Sequence, residues 1–126
     1  MDWLGMFVPR ISLRRAPTES LNQPNEEDLE RLAELRDQGS RLNLPHPVRG
    51  FVVFETEAVA RQAAELLRKE GFRCTIRAVQ DSAWMITAIM QVVPTAGAIT
   101  RLREQFEAVT AAHGGSYRGW DAPVVY

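Results

Sequence analysis

The stretch GFRCTIRAVQDSAWMITAIMQVVPT, residues 71–95, decides how this chain folds. Its first half alternates. Phe72, Cys74, Ile76 and Ala78 point one way and Arg73, Thr75 and Arg77 the other, the two-residue period of a half-buried strand. The polar QDS that follows reads as a tight turn. Residues 84–93 then read as a longer strand, stopped by Pro94, which cannot donate to a sheet ladder. Two strands joined by so short a turn make an antiparallel hairpin.

Either side of the hairpin the period changes to that of a helix. Upstream, Thr56 caps a helix to about Lys69, with Val59, Ala63, Leu66 and Leu67 on its buried face and Gly71 beyond its end. Downstream, Thr95 caps a helix whose Ile99, Leu102, Phe106 and Val109 recur at three-four spacing, and Gly114-Gly115 terminates it. FVVFE, residues 51–55, is a continuous apolar run that reads as a central strand, and residues 116–124 supply a last one. The predicted order is β-α-β-β-α-β. Right-handed crossovers place both helices on one face of a four-stranded antiparallel sheet, an α+β, ferredoxin-like architecture.

An extra N-terminal helix precedes it in NEEDLERLAELRDQG, where Asn25 is the N-cap, Glu26, Glu27 and Asp28 complement the helix dipole, and Gly39 follows the end. Leu29, Leu32, Ala33 and Leu35 form its narrow apolar stripe, so it should lie on the surface with one edge buried. The two prolines of RLNLPHPVRG make that segment a loop, with a structural or solvated His46. Residues 25–126 are expected to form one domain, and residues 1–24 a leader that is either flexible or an apolar strap or partner-binding arm. The central strands carry apolar side chains on both faces, which implies a shield over the second face. The leader, the first helix, a second copy of the chain or a partner protein could provide it.

At 126 residues the chain has room for one core and not two. A net charge of −1 supplies no global field for nucleic acid or anionic membrane. A single cysteine, Cys74, excludes an internal disulfide framework and fits a reducing compartment. No run of about 20 apolar residues spans a bilayer. The opening MDWLGMFVPRISLRR lacks the uninterrupted apolar run and cleavage site of a secretory signal, so a cytoplasmic protein is expected.

Catalytic constellations are not visible. Ser82 and Ser116 have no nucleophile-elbow or triad context, and His46 and His113 fall at a loop and a helix end. Cys74 sits on the inward face of its strand, where a packed thiol is expected rather than a reactive one. Phosphate-loop, dinucleotide and paired-cysteine metal motifs do not occur, so the chain reads as a non-enzyme with no cofactor or metal. RGFVVF, residues 49–54, echoes the aromatic signature of RNA-recognition modules, but that signature belongs on a third strand and is longer. Direct RNA binding therefore ranks last, behind a self-associating or ligand-sensing module that uses the open sheet face.

The closing run GGSYRGWDAPVVY, preceded by ITRLREQFEAVTAAH, resembles the end of the ribonuclease E inhibitor RraB family, whose members carry a Y-D-G-W motif after their last helix. TEAVARQAAELLRKEGFRCTI is similar to that family's first core helix running into its next strand, and EEDLERLAELRDQG occupies the position of its N-terminal helix. The resemblance spans roughly residues 26–126 and implies a ferredoxin-like fold. It also implies a non-catalytic, cytoplasmic bacterial regulator of RNA turnover, which binds and restrains a ribonuclease E-type endoribonuclease by protein–protein contact. The motif residues here are Tyr117, Arg118, Gly119 and Trp120, with Arg118 standing where the family has aspartate. The sequence printed here also lacks the acidic tail of the proteobacterial members, and both departures remove negative charge. Trp120 is expected to plug the sheet, Gly119 to permit a bulge or a close approach and Tyr117 to pair across strands, with any partner surface beside them.

Overall fold

A computed structural model describes residues 25–126; the leader, with both readings of it, lies outside the described residues. Helix α1, Glu26–Asp37, opens with the Asn25 side chain accepting from the Asp28 amide at 2.8 Å. Strand β1 is His46–Phe54, α2 is Glu57–Lys69, β2 is Arg73–Val79, β3 is Ala83–Val92, α3 is Ala96–His113 and β4 is Ser116–Asp121. Thr56 and Thr95 cap α2 and α3 as their positions predict, and Gly114 ends α3 in a left-handed conformation. The turn between β2 and β3 is one of 3-10 type, Gln80–Ser82, with Asp81 and Ser82 both at positive φ.

The four strands form one antiparallel sheet in the order β2-β3-β1-β4. Val48, Val52 and Phe54 of β1 and Ile86 and Ala88 of β3 point towards α2 and α3. These helices close the core with Ala60, Ala63, Leu67, Ile99, Leu102 and Phe106. The Phe106 ring lies against Gly50, where a Cβ would collide with it, so only glycine lets the helix approach so closely. Fully burying the larger of these apolar side chains is worth about 1.5–3 kcal/mol each.

Four expectations change, the simplest in α2, where Leu66, read on the buried face, is exposed while Ala60 and Ala64 are buried. The first strand begins at His46 rather than at Phe51, so half of the predicted loop is strand. Pro47 pairs only with Gln91, because β4 does not reach beyond Arg49, and a proline is tolerated where a strand has one neighbour. His46 is fully buried there: Nδ1 donates to the Leu44 carbonyl at 2.8 Å and Nε2 accepts from Ser40 Oγ at 2.6 Å. The last strand ends at Asp121, not at Val124; beyond it the Val125 amide donates to Ser40 Oγ and its carbonyl accepts from the Arg41 amide. In α1, Leu29 is exposed while Asp28 is buried, reversing the sequence reading at these two positions.

The first helix does not shield the second sheet face. It packs on α3, on the side of the core.

Candidate functional site

The motif strand is shaped by one irregularity. In the β1–β4 ladder Val52 pairs with Tyr117 and Gly50 with Trp120, so β4 holds one residue more than β1 between those rungs. Gly119, at φ +102, takes up this bulge. Strict alternation would send residues 117 and 120 to opposite faces. The bulge resets the phase, and both rings turn inward: Tyr117 stacks on Phe106 with centroids 5.6 Å apart, and Trp120 is 5% exposed.

Trp120 also makes a polar bond inside the fold. Its indole Nε1 donates to Asp28 Oδ1 at 2.9 Å, while Arg103 Nε donates to Asp28 Oδ2 at 3.1 Å. Arg103 extends the chain to Glu107 at 3.5 Å. The Asp28 and Arg103 side chains are only 5% and 8% exposed, so this ion pair is buried. Both carboxylate oxygens of Asp28 have donors, which is what makes a buried charge tolerable. The knot ties α1, α3 and β4 together.

Burial raises the Glu107 carboxyl above the usual range against the pull of Arg103, with Asp28 and Glu104 adding to the rise. The Tyr117 hydroxyl is raised too, first by burial and then by the negative charges of Asp28 and Glu107. A cleft of about 250 Å³ opens beside the knot, lined by Asp28, Arg31, Arg103, Tyr117, Arg118 and Trp120 among others. Its polar walls can admit a charged side chain or a small ion. Arg118 is exposed at its rim, its Nε donating to Ser116 Oγ at 3.0 Å.

Of the predicted motif residues, the structure brings Tyr117 and Trp120 together inside and leaves Arg118 outside. Asp28 and Arg103 are the members that sequence reading missed. The signal was there: Arg103 falls on the same helical face as Ile99, Leu102 and Phe106, and a charge in a buried stripe requires a buried counter-charge. The other candidate side chains do not gather here. Cys74 is a half-buried free thiol, its pKa pushed up by burial more than Arg68 lowers it. His113 Nδ1 donates to the Val109 carbonyl at 3.1 Å, and its ring meets Phe54 edge-on.

The chain is thus a small α+β domain with a single four-stranded antiparallel sheet, whose last strand is locked by a buried tryptophan, aspartate and arginine. The family model described as Regulator of ribonuclease activity B, RraB, matches residues 25–122, and the chain belongs to that family. The match starts at the N-cap of α1 and runs through β4, so it includes every member of the knot. Membership makes the chain one of a family of ribonuclease regulators rather than of catalysts. No curated protein matches the chain. No helix among the described residues is long and apolar enough to cross a membrane.

Proposed function

We propose that the protein is a non-catalytic regulator of RNA turnover that binds and restrains a ribonuclease E-type endoribonuclease by protein–protein contact, in the bacterial cytoplasm. The observation that carries this reading is the family match over residues 25–122. The β-α-β-β-α-β sequence of elements and the strand order β2-β3-β1-β4 support a ferredoxin-like description of the domain. In this reading Tyr117 and Trp120 build the domain, and Arg118 lies beside the surface that meets the partner. Residues 25–126 act as one folded unit.

The test is direct. The purified chain, immobilised, is exposed to the purified endoribonuclease from the same cell, and cleavage of a single-stranded RNA is timed with and without the chain. Saturable, nuclease-resistant binding and a slower cleavage rate are expected. The absence of a complex at micromolar concentrations, or a complex that cleaves RNA at the unchanged rate, rejects the reading.

A further inference from the structure

The sheet has a second face, formed by the alternate strand positions. Its residues fall in three cross-strand rows: Arg73, Ile89, Arg49 and Asp121; then Thr75, Thr87 and Phe51; then Arg77, Met85, Val53 and Ser116. Phe51, Val53, Met85 and Ile89 make a continuous apolar patch at its middle, half-buried by one another and by their neighbours. Arg49 stands over the Phe51 ring at 5.5 Å and holds Asp121 through two bonds of 2.7 Å. Arg73 and Arg77, on the same face of edge strand β2 with Thr75 between them, are exposed and have no acidic partner among the described residues. A depression of about 370 Å³ between Arg73 and Asp121 is floored by Ile89 and walled by Pro47, Arg49 and Pro123.

We propose that this face is the docking surface for an extended, acidic segment of the endoribonuclease that carries apolar side chains; the inference rests on the function proposed above. Charge selects the occupant. The strand positions of the face hold three arginines to one aspartate, so the face is positive on a chain whose net charge is −1. A second copy would set this positive face against its own likeness, which opposes association. The leader carries Arg10, Arg14 and Arg15 against Asp2 and Glu19 and is likewise of the wrong sign. Single-stranded RNA has the right sign but needs stacking platforms, and among these positions Phe51 is the only ring. An acidic segment with apolar side chains satisfies Arg73 and Arg77 and covers Phe51, Val53, Met85 and Ile89 at once.

The experiment measures affinity of the full chain for the purified endoribonuclease at low and high salt, beside the double variant Arg73→Glu/Arg77→Glu and the control Arg36→Glu on α1. Thermal melts confirm that each variant is folded. The double variant is expected to bind at least about tenfold more weakly at low salt and to lose most of the salt dependence, while the control binds as wild type does. Phe51→Ser, which keeps the arginines, is expected to weaken binding at both salts. Wild-type binding with unchanged affinity in the double variant overturns the surface and leaves the regulator reading intact. Failure of the wild type to bind overturns both. Loss of oligouridylate binding in the double variant, with nuclease binding unchanged, assigns the face to RNA instead. Dimerisation of the wild type by sedimentation, abolished by Phe51→Ser, assigns it to a second copy.

Discussion

Asp28 is where single side chains decide most. It is buried at the first turn of a helix, and its two oxygens take one proton donor each, from Trp120 and from Arg103. Trp120→Phe keeps an aromatic ring but removes the part of the indole that carries the N–H, so Asp28 Oδ1 loses its donor and a small cavity opens beside it. The expected loss is about 1–3 kcal/mol, the cost of a buried acceptor left unmade. Trp120→Ala removes the packing as well and should cost about 3–5 kcal/mol. Urea unfolding followed by circular dichroism measures both. No loss in Trp120→Phe would mean that the polar bond contributes nothing beside packing, and equal losses in the two variants would mean that packing adds nothing to the bond. Glu104 presents the opposite case: its Oε2 is shut off from solvent and has no hydrogen-bond partner among the described residues. Burial raises its pKa more than Arg103 and Arg101 lower it. The folded state then holds the proton more readily than the unfolded one, so this group's contribution to stability falls as pH rises through and above 4.5. Glu104→Gln should therefore stabilise the fold at pH 7, by less than about 1 kcal/mol because only Oε2 is shut off and solvent reaches and screens the rest of this half-buried side chain. The gain should shrink as pH drops towards 4.5, since the protonated side chain resembles glutamine. A gain that is constant from pH 7 to pH 4.5 would show that ionisation is not its origin.

At the scale of elements, Gly119 sets what β4 presents. Its φ of +102 is reached at little cost only by glycine, and a Cβ there would meet nothing within 4 Å. Gly119→Ala should cost about 1–2 kcal/mol from backbone strain alone, with no steric share. An unchanged melting temperature would show that the bulge can move to Arg118. Helices were legible in the sequence because their signals are local. The caps at Asn25, Thr56 and Thr95 and the glycines at 39, 71 and 114 lie where the backbone turns. The hairpin of β2 and β3 was legible for the same reason. The start of β1 was not, since Pro47 reads as a loop unless one knows that β4 stops short of it. Nor was the phase of β4 settled by alternation, because a bulge at Gly119 and strict alternation place Trp120 differently.

Across the whole molecule, what the sequence hid is what joins distant parts. Arg103 meets Asp28 across 75 positions, Trp120 meets Asp28 across 92, and Val125 meets Ser40 across 85. Periodicity reports which face of an element is buried, but not which charge on another element it will meet. These same links bear on how the domain unfolds. A surface helix with a narrow apolar stripe would ordinarily peel off first, since little apolar area holds it. Here α1 supplies Asp28 to the knot and Leu32 and Leu35 to the core, so releasing it would break the buried Asp28–Arg103 pair and uncover both leucines. Breaking such a pair costs about 3–5 kcal/mol, a large part of the stability of a domain this size. Detachment of α1 should therefore coincide with global unfolding. In a Trp3→Phe/Trp84→Phe background Trp120 is the remaining tryptophan, and its fluorescence reports the knot. Its urea transition is expected to share midpoint and slope with the helical circular-dichroism signal, as a single two-state unit requires. A fluorescence change that precedes loss of the helical signal would show that α1 leaves a core that survives it.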